Sequence, residues 1–216
     1  MSASVPVELL LHVQRRLEAL YALEQAAPVT EFLIPGDAAG DYPGGGSRTL
    51  LRQDGDDIAL GVVFDDEVGE CLSRSDPRQH LDRGNLGSFC AMTEEVSHFL
   101  YLLFCARSQR TVTELELELQ GEVDKYLNAV FLLSLQNDGA VSPRLRDLLF
   151  REYHLSGDMS AERAERYHLA SDLAYRYCGY LEERYLRSSR LSDLAREARR
   201  FYRLGQRDKL QRIREV

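Results

Sequence analysis

The chain has 216 residues, 44% hydrophobic and 29% charged, with a net charge of −8 at pH 7. That is enough apolar material for a packed domain of ordinary size, and it excludes a disordered chain. No stretch approaches the roughly 18 apolar residues a spanning helix requires. The start, around Glu8-Leu9-Leu10-Leu11, lacks the basic leader and long apolar core of a secretory signal, so a cytoplasmic protein with no membrane association is expected.

Val7 to Gln25 reads as an amphipathic helix, with Leu10, Val13, Leu17, Leu20 and Tyr21 at helical spacing. A short apolar run at 31–34 leads into a Gly- and Asp-rich loop that closes with Gly44-Gly45-Gly46. Arg48 to Gln53 and Asp57 to Phe64 are strand-like and flank Asp54-Gly55, a strong hairpin signal. A small antiparallel sheet of two or three strands is therefore expected there. Residues 73–85 read as a loop.

A helix over about Leu86 to Ala106 follows, then a break near Ser108-Gln109-Arg110, then a second helix over Val112 to Gln136. Leu115 to Leu119 alternates like a strand, but the spacing of Val112, Leu115, Leu119, Val123, Tyr126, Val130 and Leu133 favours helix. Ser142-Pro143 marks the start of a helix running to about Tyr153, and Ser156-Gly157-Asp158 breaks it. Ser160 caps a helix to about Arg187. Ser192 caps another, with Leu194, Ala195, Ala198, Phe201 and Tyr202 on one stripe and Gly205 as the stop.

The expected fold is mainly α: a bundle of five to seven helices with a small antiparallel β-hairpin inserted near residues 47–64. Residues 1–187 would form the helical domain, with the insertion at about 31–72. Residues 188–216 would add basic amphipathic helices, either packed on that domain or open to a partner.

Charge is unevenly spread. Residues 1–138 hold 10 Lys and Arg against 23 Asp and Glu, whereas residues 139–216 hold 17 against 12. Such a basic end either binds an acidic partner or docks on the chain's own acidic half. Cys71, Cys90, Cys105 and Cys178 form no CxxC and no tight metal spacing, so they read as reduced thiols.

Glu95, His98 and Glu122 fall inside an otherwise apolar helical hairpin. A buried charge must be paired or must ligate something. A turn near Gln109-Arg110 sets Glu122 roughly level with Ser97 and His98. Glu95-Val96-Ser97-His98 and Glu165-Arg166-Tyr167-His168 both place a carboxylate and an imidazole on one helix face. These pairs resemble the Glu-x-x-His motif of ferritin-like di-metal carboxylate proteins, over a handful of positions. The resemblance implies Fe or Mn held by Glu95, His98, Glu122, Glu165 and His168. The helical wheel puts Glu95 and His98 on a stripe with Ala91, Leu102 and Cys105, whereas His168 shares a solvated side with Glu165, Asp172 and Arg176.

Other signatures are missing. The acidic run Asp54, Asp56, Asp57, Asp65, Asp66, Glu67 and Glu70 lacks the EF-hand order and reads as a solvated rim. Gly44-Gly45-Gly46-Ser47 lacks GK[ST] and leads into a strand, so no phosphate cradle is expected. No GxSxG elbow occurs.

The leading expectation is a non-catalytic cytoplasmic protein that acts through protein contacts and needs no cofactor. Its surface would be Arg196, Arg199, Arg200, Arg203, Phe201 and Tyr202, and its partner another protein or a second copy of the chain. The alternative is the metal-binding or oxidoreductase bundle. A third reading is nucleic-acid binding through the Arg-rich end, which the acidic body opposes.

Overall fold

The fold is that of a computed structural model, which describes residues 5–35, 46–55, 57–152 and 160–216. It is mainly helical. Among the described residues there are eight α-helices and one two-stranded antiparallel sheet.

Helix α1 (Val7–Tyr21) buries Leu10, Val13, Leu17 and Tyr21 and ends at Ala22 in the left-handed region, with φ 48°. A 3-10 turn (Val29–Phe32) follows. Strands β1 (Arg48–Asp54) and β2 (Asp57–Val63) pair from Arg48↔Val63 to Asp54↔Asp57. Gly55, with φ 61°, makes the turn. Leu33 adds a parallel bridge to Val62, so the hairpin is tied back to the chain before it.

Helix α2 (Asp66–Arg74) follows directly, capped by the Asp65 carboxylate on the Glu67 N–H. Its only buried residues are Gly69 and Leu72, too thin an apolar stripe for periodicity to reveal it. The loop to α3 is organised by Asn85. This fully buried side chain donates to the Ser75 hydroxyl and the His80 carbonyl.

Helices α3 (Leu86–Arg107) and α4 (Glu114–Gln136) form the central hairpin. Gln109, at φ 49°, makes the turn, and Thr113 caps α4 by accepting from the Glu116 N–H. Both helices are buried on nearly every side, because α1, α2 and the hairpin cover α3 while α5 and α6 cover α4.

Helix α5 (Leu145–Phe150) opens without a side-chain cap, so Ser142 does not cap it. The expected run to Tyr153, the break at 156–158, the Gly44-Gly45 loop and Asp56 lie outside the described residues. Helix α6 (Ala161–Leu181) begins at the Ser160 cap and passes into a π-helical turn at Glu182–Leu186. Helix α7 (Leu191–Arg203) starts one residue before the expected cap Ser192, and α8 (Gln206–Arg214) follows Gly205. Helix α7 packs on α1 and α8 on α6. No helix among the described residues is long and apolar enough to cross a membrane.

Candidate functional site

The α3–α4 hairpin carries its charge on two opposite sides. On one, Glu94, Glu95 and His98 of α3 meet Glu118, Glu122 and Lys125 of α4. The spacing explains the convergence: Glu94 and His98 are i, i+4 on α3, as are Glu118 and Glu122 on α4, so each pair shares a helix face. All these residues are buried or nearly so. Between them lies Gly121. A Cβ there would sit 2.9 Å from His98 Nε2, so only glycine lets the imidazole lie against the α4 backbone.

The partners divide the carboxylates. Lys125 Nζ donates to Glu94 Oε2 at 2.9 Å and to Glu122 Oε1 at 2.8 Å. The Tyr167 hydroxyl of α6 donates to Glu94 Oε1 at 3.2 Å. Thr49 of β1 donates to Glu95 Oε2 at 2.7 Å, so the hairpin insertion closes the site on that side. His98 Nδ1 lies 3.8 Å from Glu95 Oε2, and Nε2 lies 3.8 Å from Glu118 Oε2. Both are beyond hydrogen-bond reach. His98 Nε2 and Glu118 Oε2 are buried atoms without a hydrogen-bond partner.

The electrostatics follow from this crowding. Burial opposes charge on His98, but Glu95, Glu118 and Glu94 outweigh it and raise its pKa to about 9. Burial pushes Glu118 up to about 7, against the pull of His98. Burial also raises Glu122. Glu94 ends below its ordinary value because Lys125 and His98 overcome its desolvation. Arg163 of α6 reaches the edge of the same field, acting on Glu118 and Glu95. Four carboxylates thus face Lys125, Arg163 and one imidazole. His98, raised to about 9, is protonated near pH 7 and offsets part of the carboxylates' negative charge.

One oxygen each from Glu94 and Glu118 and one nitrogen of His98 lie within 4.8 Å of one another. Two metal bonds of about 2.1 Å span at most about 4.2 Å. The His98–Glu118 separation of 3.8 Å fits this span, and Glu94, whose oxygens also accept from Lys125 and Tyr167, lies at its edge.

The sequence-derived residues scatter around this group. His98 is in it. Glu95 borders it on the Thr49 side, and Glu122 is held by Lys125. Glu165 and His168 are exposed on α6 and are not part of it. Glu94 and Glu118 were missed because the Glu-x-x-His motif directs attention to i, i+3 pairs. The available signal was the i, i+4 spacing of Glu94 to His98 and of Glu118 to Glu122.

The opposite side of the hairpin was also missed. Asp124, fully buried, accepts from the Tyr21 and Ser97 hydroxyls and the Gln120 amide. Lys209 of α8, also fully buried, donates to Gln120 Oε1 and lies over the Tyr101 and Phe201 rings at 4.8 and 4.4 Å.

The C-terminal residues expected at a contact surface are largely used within the molecule. Arg199 donates to the Ala19 and Leu20 carbonyls, and Arg203 to the Tyr21 and Ala22 carbonyls. Helix α1 has no basic residue in its own last turn, so these two guanidiniums satisfy its free carbonyls and the negative end of its dipole. Phe201 stacks on Tyr177 and Tyr202 on Tyr21, both fully buried. Arg196 pairs with Asp193 and stays exposed, as does Arg200.

Comparison with protein-family models, curated proteins and solved structures finds no match to this chain.

Proposed function

We propose that this protein is a metal-binding helical bundle that holds one divalent transition-metal ion, Fe or Mn, between α3 and α4. Glu94, His98 and Glu118 are the ligands. The observation that carries the reading is the pair of facing, buried atoms His98 Nε2 and Glu118 Oε2, 3.8 Å apart and each without a hydrogen-bond partner. Buried polar atoms are rarely left unpaired, and a missing ion is one of the standard reasons when they are. Four carboxylates against Lys125 and Arg163 make the cluster rich in acidic groups, which suits a cation that displaces the His98 proton. One imidazole with carboxylates suits the borderline metals of the first transition row. Three protein ligands leave positions for water or a small substrate.

A single-ion centre is compatible with the exposure of Glu165 and His168, which a ferritin-like pair of ions would need as ligands. A contact surface at the C-terminus receives less support, because Arg199, Arg203, Phe201 and Tyr202 are engaged inside the fold. The four free thiols suit the reducing cytoplasm.

The test is anaerobic titration with Mn(II), read by the EPR signal of the free ion. One equivalent should bind. His98→Gln and Glu118→Gln should each lose at least about tenfold in affinity, while His168→Gln should bind as the unaltered protein does. An absence of binding, or an equal loss in His168→Gln, would sink the proposal.

A further inference from the structure

A concave site lies at the far end of α4, independent of the proposed metal centre. A cleft of about 650 Å³ opens between α1, the end of α4 and the turn that leads into α7. Phe131, Leu135, Val141 and Leu191 are among its apolar walls, and His12, Arg16 and Arg78 line its other side. Leu135 is 78% exposed and Leu191 54%, high values for leucines that face a cleft.

The cationic side is unevenly satisfied. Arg78 is forked onto Asp76, with Nη2 to Oδ2 at 2.7 Å. Arg16 is partly buried and makes no hydrogen bond or ion pair with any described residue. Burial lowers its pKa, and no carboxylate among the described residues compensates. His12, beside it, is lowered by burial and by the positive charges of Arg16, Arg78 and Arg15. A partly desolvated guanidinium without an anion is costly, and its planar fork matches a carboxylate. Apolar walls with one fixed polar group are the usual make-up of a small-ligand pocket, and the volume is in the usual range.

We propose that this cleft binds an amphipathic monocarboxylate, a straight-chain fatty acid of medium length. The carboxylate pairs with Arg16, and the tail lies along Phe131, Leu135 and Leu191.

The test is calorimetric titration of the full chain with decanoate, decanol and acetate, and with phosphatidylglycerol vesicles. Decanoate should bind one per chain, with decanol and acetate at least about tenfold weaker, since a charge-assisted pair and a buried tail are each worth that much. Arg16→Gln should weaken decanoate binding about tenfold or more, while Arg15→Gln, on the exposed side of α1, should leave it unchanged. Should Arg16→Gln unfold, Leu135→Asp at an exposed position serves instead and should also weaken decanoate. Equal affinity for decanol, unchanged binding in a folded Arg16→Gln protein, or binding to vesicles but not to free decanoate would overturn the proposal.

Discussion

Gly121 of α4 lies directly against the imidazole of His98 on α3, close enough that a methyl group in its place would meet Nε2 at 2.9 Å and Glu94 Cγ at 3.4 Å. The contact fixes where His98 points, and with it the geometry of the buried cluster. Glycine in mid-helix costs about 1 kcal/mol relative to alanine, and here the imidazole fills the space the glycine leaves.

Gly121→Ala should therefore destabilise the fold by about 1–3 kcal/mol despite the better helix propensity of alanine, because the overpacked imidazole must move. It should also weaken Mn(II) binding. At Gly87, in the first turn of α3, an added methyl group would meet nothing within 4 Å, and Gly87→Ala should be neutral or stabilising by up to about 1 kcal/mol. Urea unfolding of the two variants separates local crowding from helix propensity.

Lys125 is the only cation hydrogen-bonded to Glu94 and Glu122 among the described residues. Lys125→Met would leave both carboxylates buried beside Glu118 with their main counter-charge gone. A loss of about 3–5 kcal/mol is expected. Pairing it with Glu122→Leu should recover part of that loss, which a double-mutant cycle in urea would measure.

Lys209 gives a pH signature. Burial lowers its pKa to about 7, against the pull of Glu116 and Asp124, whereas in the unfolded chain it titrates near 10.5. Between these values the unfolded chain holds a proton that the folded chain does not, so stability rises with pH across that window. Below about pH 7 both states are protonated and the full cost of the buried charge is present. Lys209→Met should flatten this dependence. The difference in unfolding free energy between the two proteins should change by up to about 1.4 kcal/mol per pH unit from pH 7 to 10. A constant difference across that range would show that Lys209 stays protonated in the fold.

Removal of residues 188–216 should abolish cooperative unfolding. Leu194, Ala198, Phe201, Tyr202 and Ile213 lie in the core, and Arg199 and Arg203 close the end of α1. The milder Arg199→Ala/Arg203→Ala protein should stay folded and lose about 1–2 kcal/mol. A truncated chain that keeps a sharp thermal transition would show that these helices are an appendage.

Much of this architecture is legible from residue spacing. The α3–α4 hairpin follows from its apolar periodicity, Ser160 does cap α6, and Asp54-Gly55 does turn the β-hairpin. A turn near 109–110 sets Glu122 roughly level with Ser97 and His98, and the residue that meets the imidazole is Gly121, the neighbour of Glu122. The proposed ligand set is harder to read from sequence. Glu118 and Glu122 flank Gly121 in the sequence, but only the fold shows that Lys125 holds Glu122 and Glu94, that Tyr167 also reaches Glu94, and that Glu118 Oε2 is left facing His98. The Arg-rich end misled for a related reason. Composition reports that guanidiniums are present, while their use as carbonyl caps on α1, some 180 residues away, is a tertiary fact. Lys209 sits in a helix whose local sequence is strongly polar, and nothing in that pattern marks it as fully buried.

The most direct test of the proposed metal centre is anomalous X-ray scattering from crystals of the protein equilibrated with Mn(II). The account predicts one strong peak per chain, about 2.1 Å from His98 Nε2 and within bonding distance of Glu118 and Glu94. No peak between α3 and α4, or a stronger one at His168 and Glu165, would contradict it.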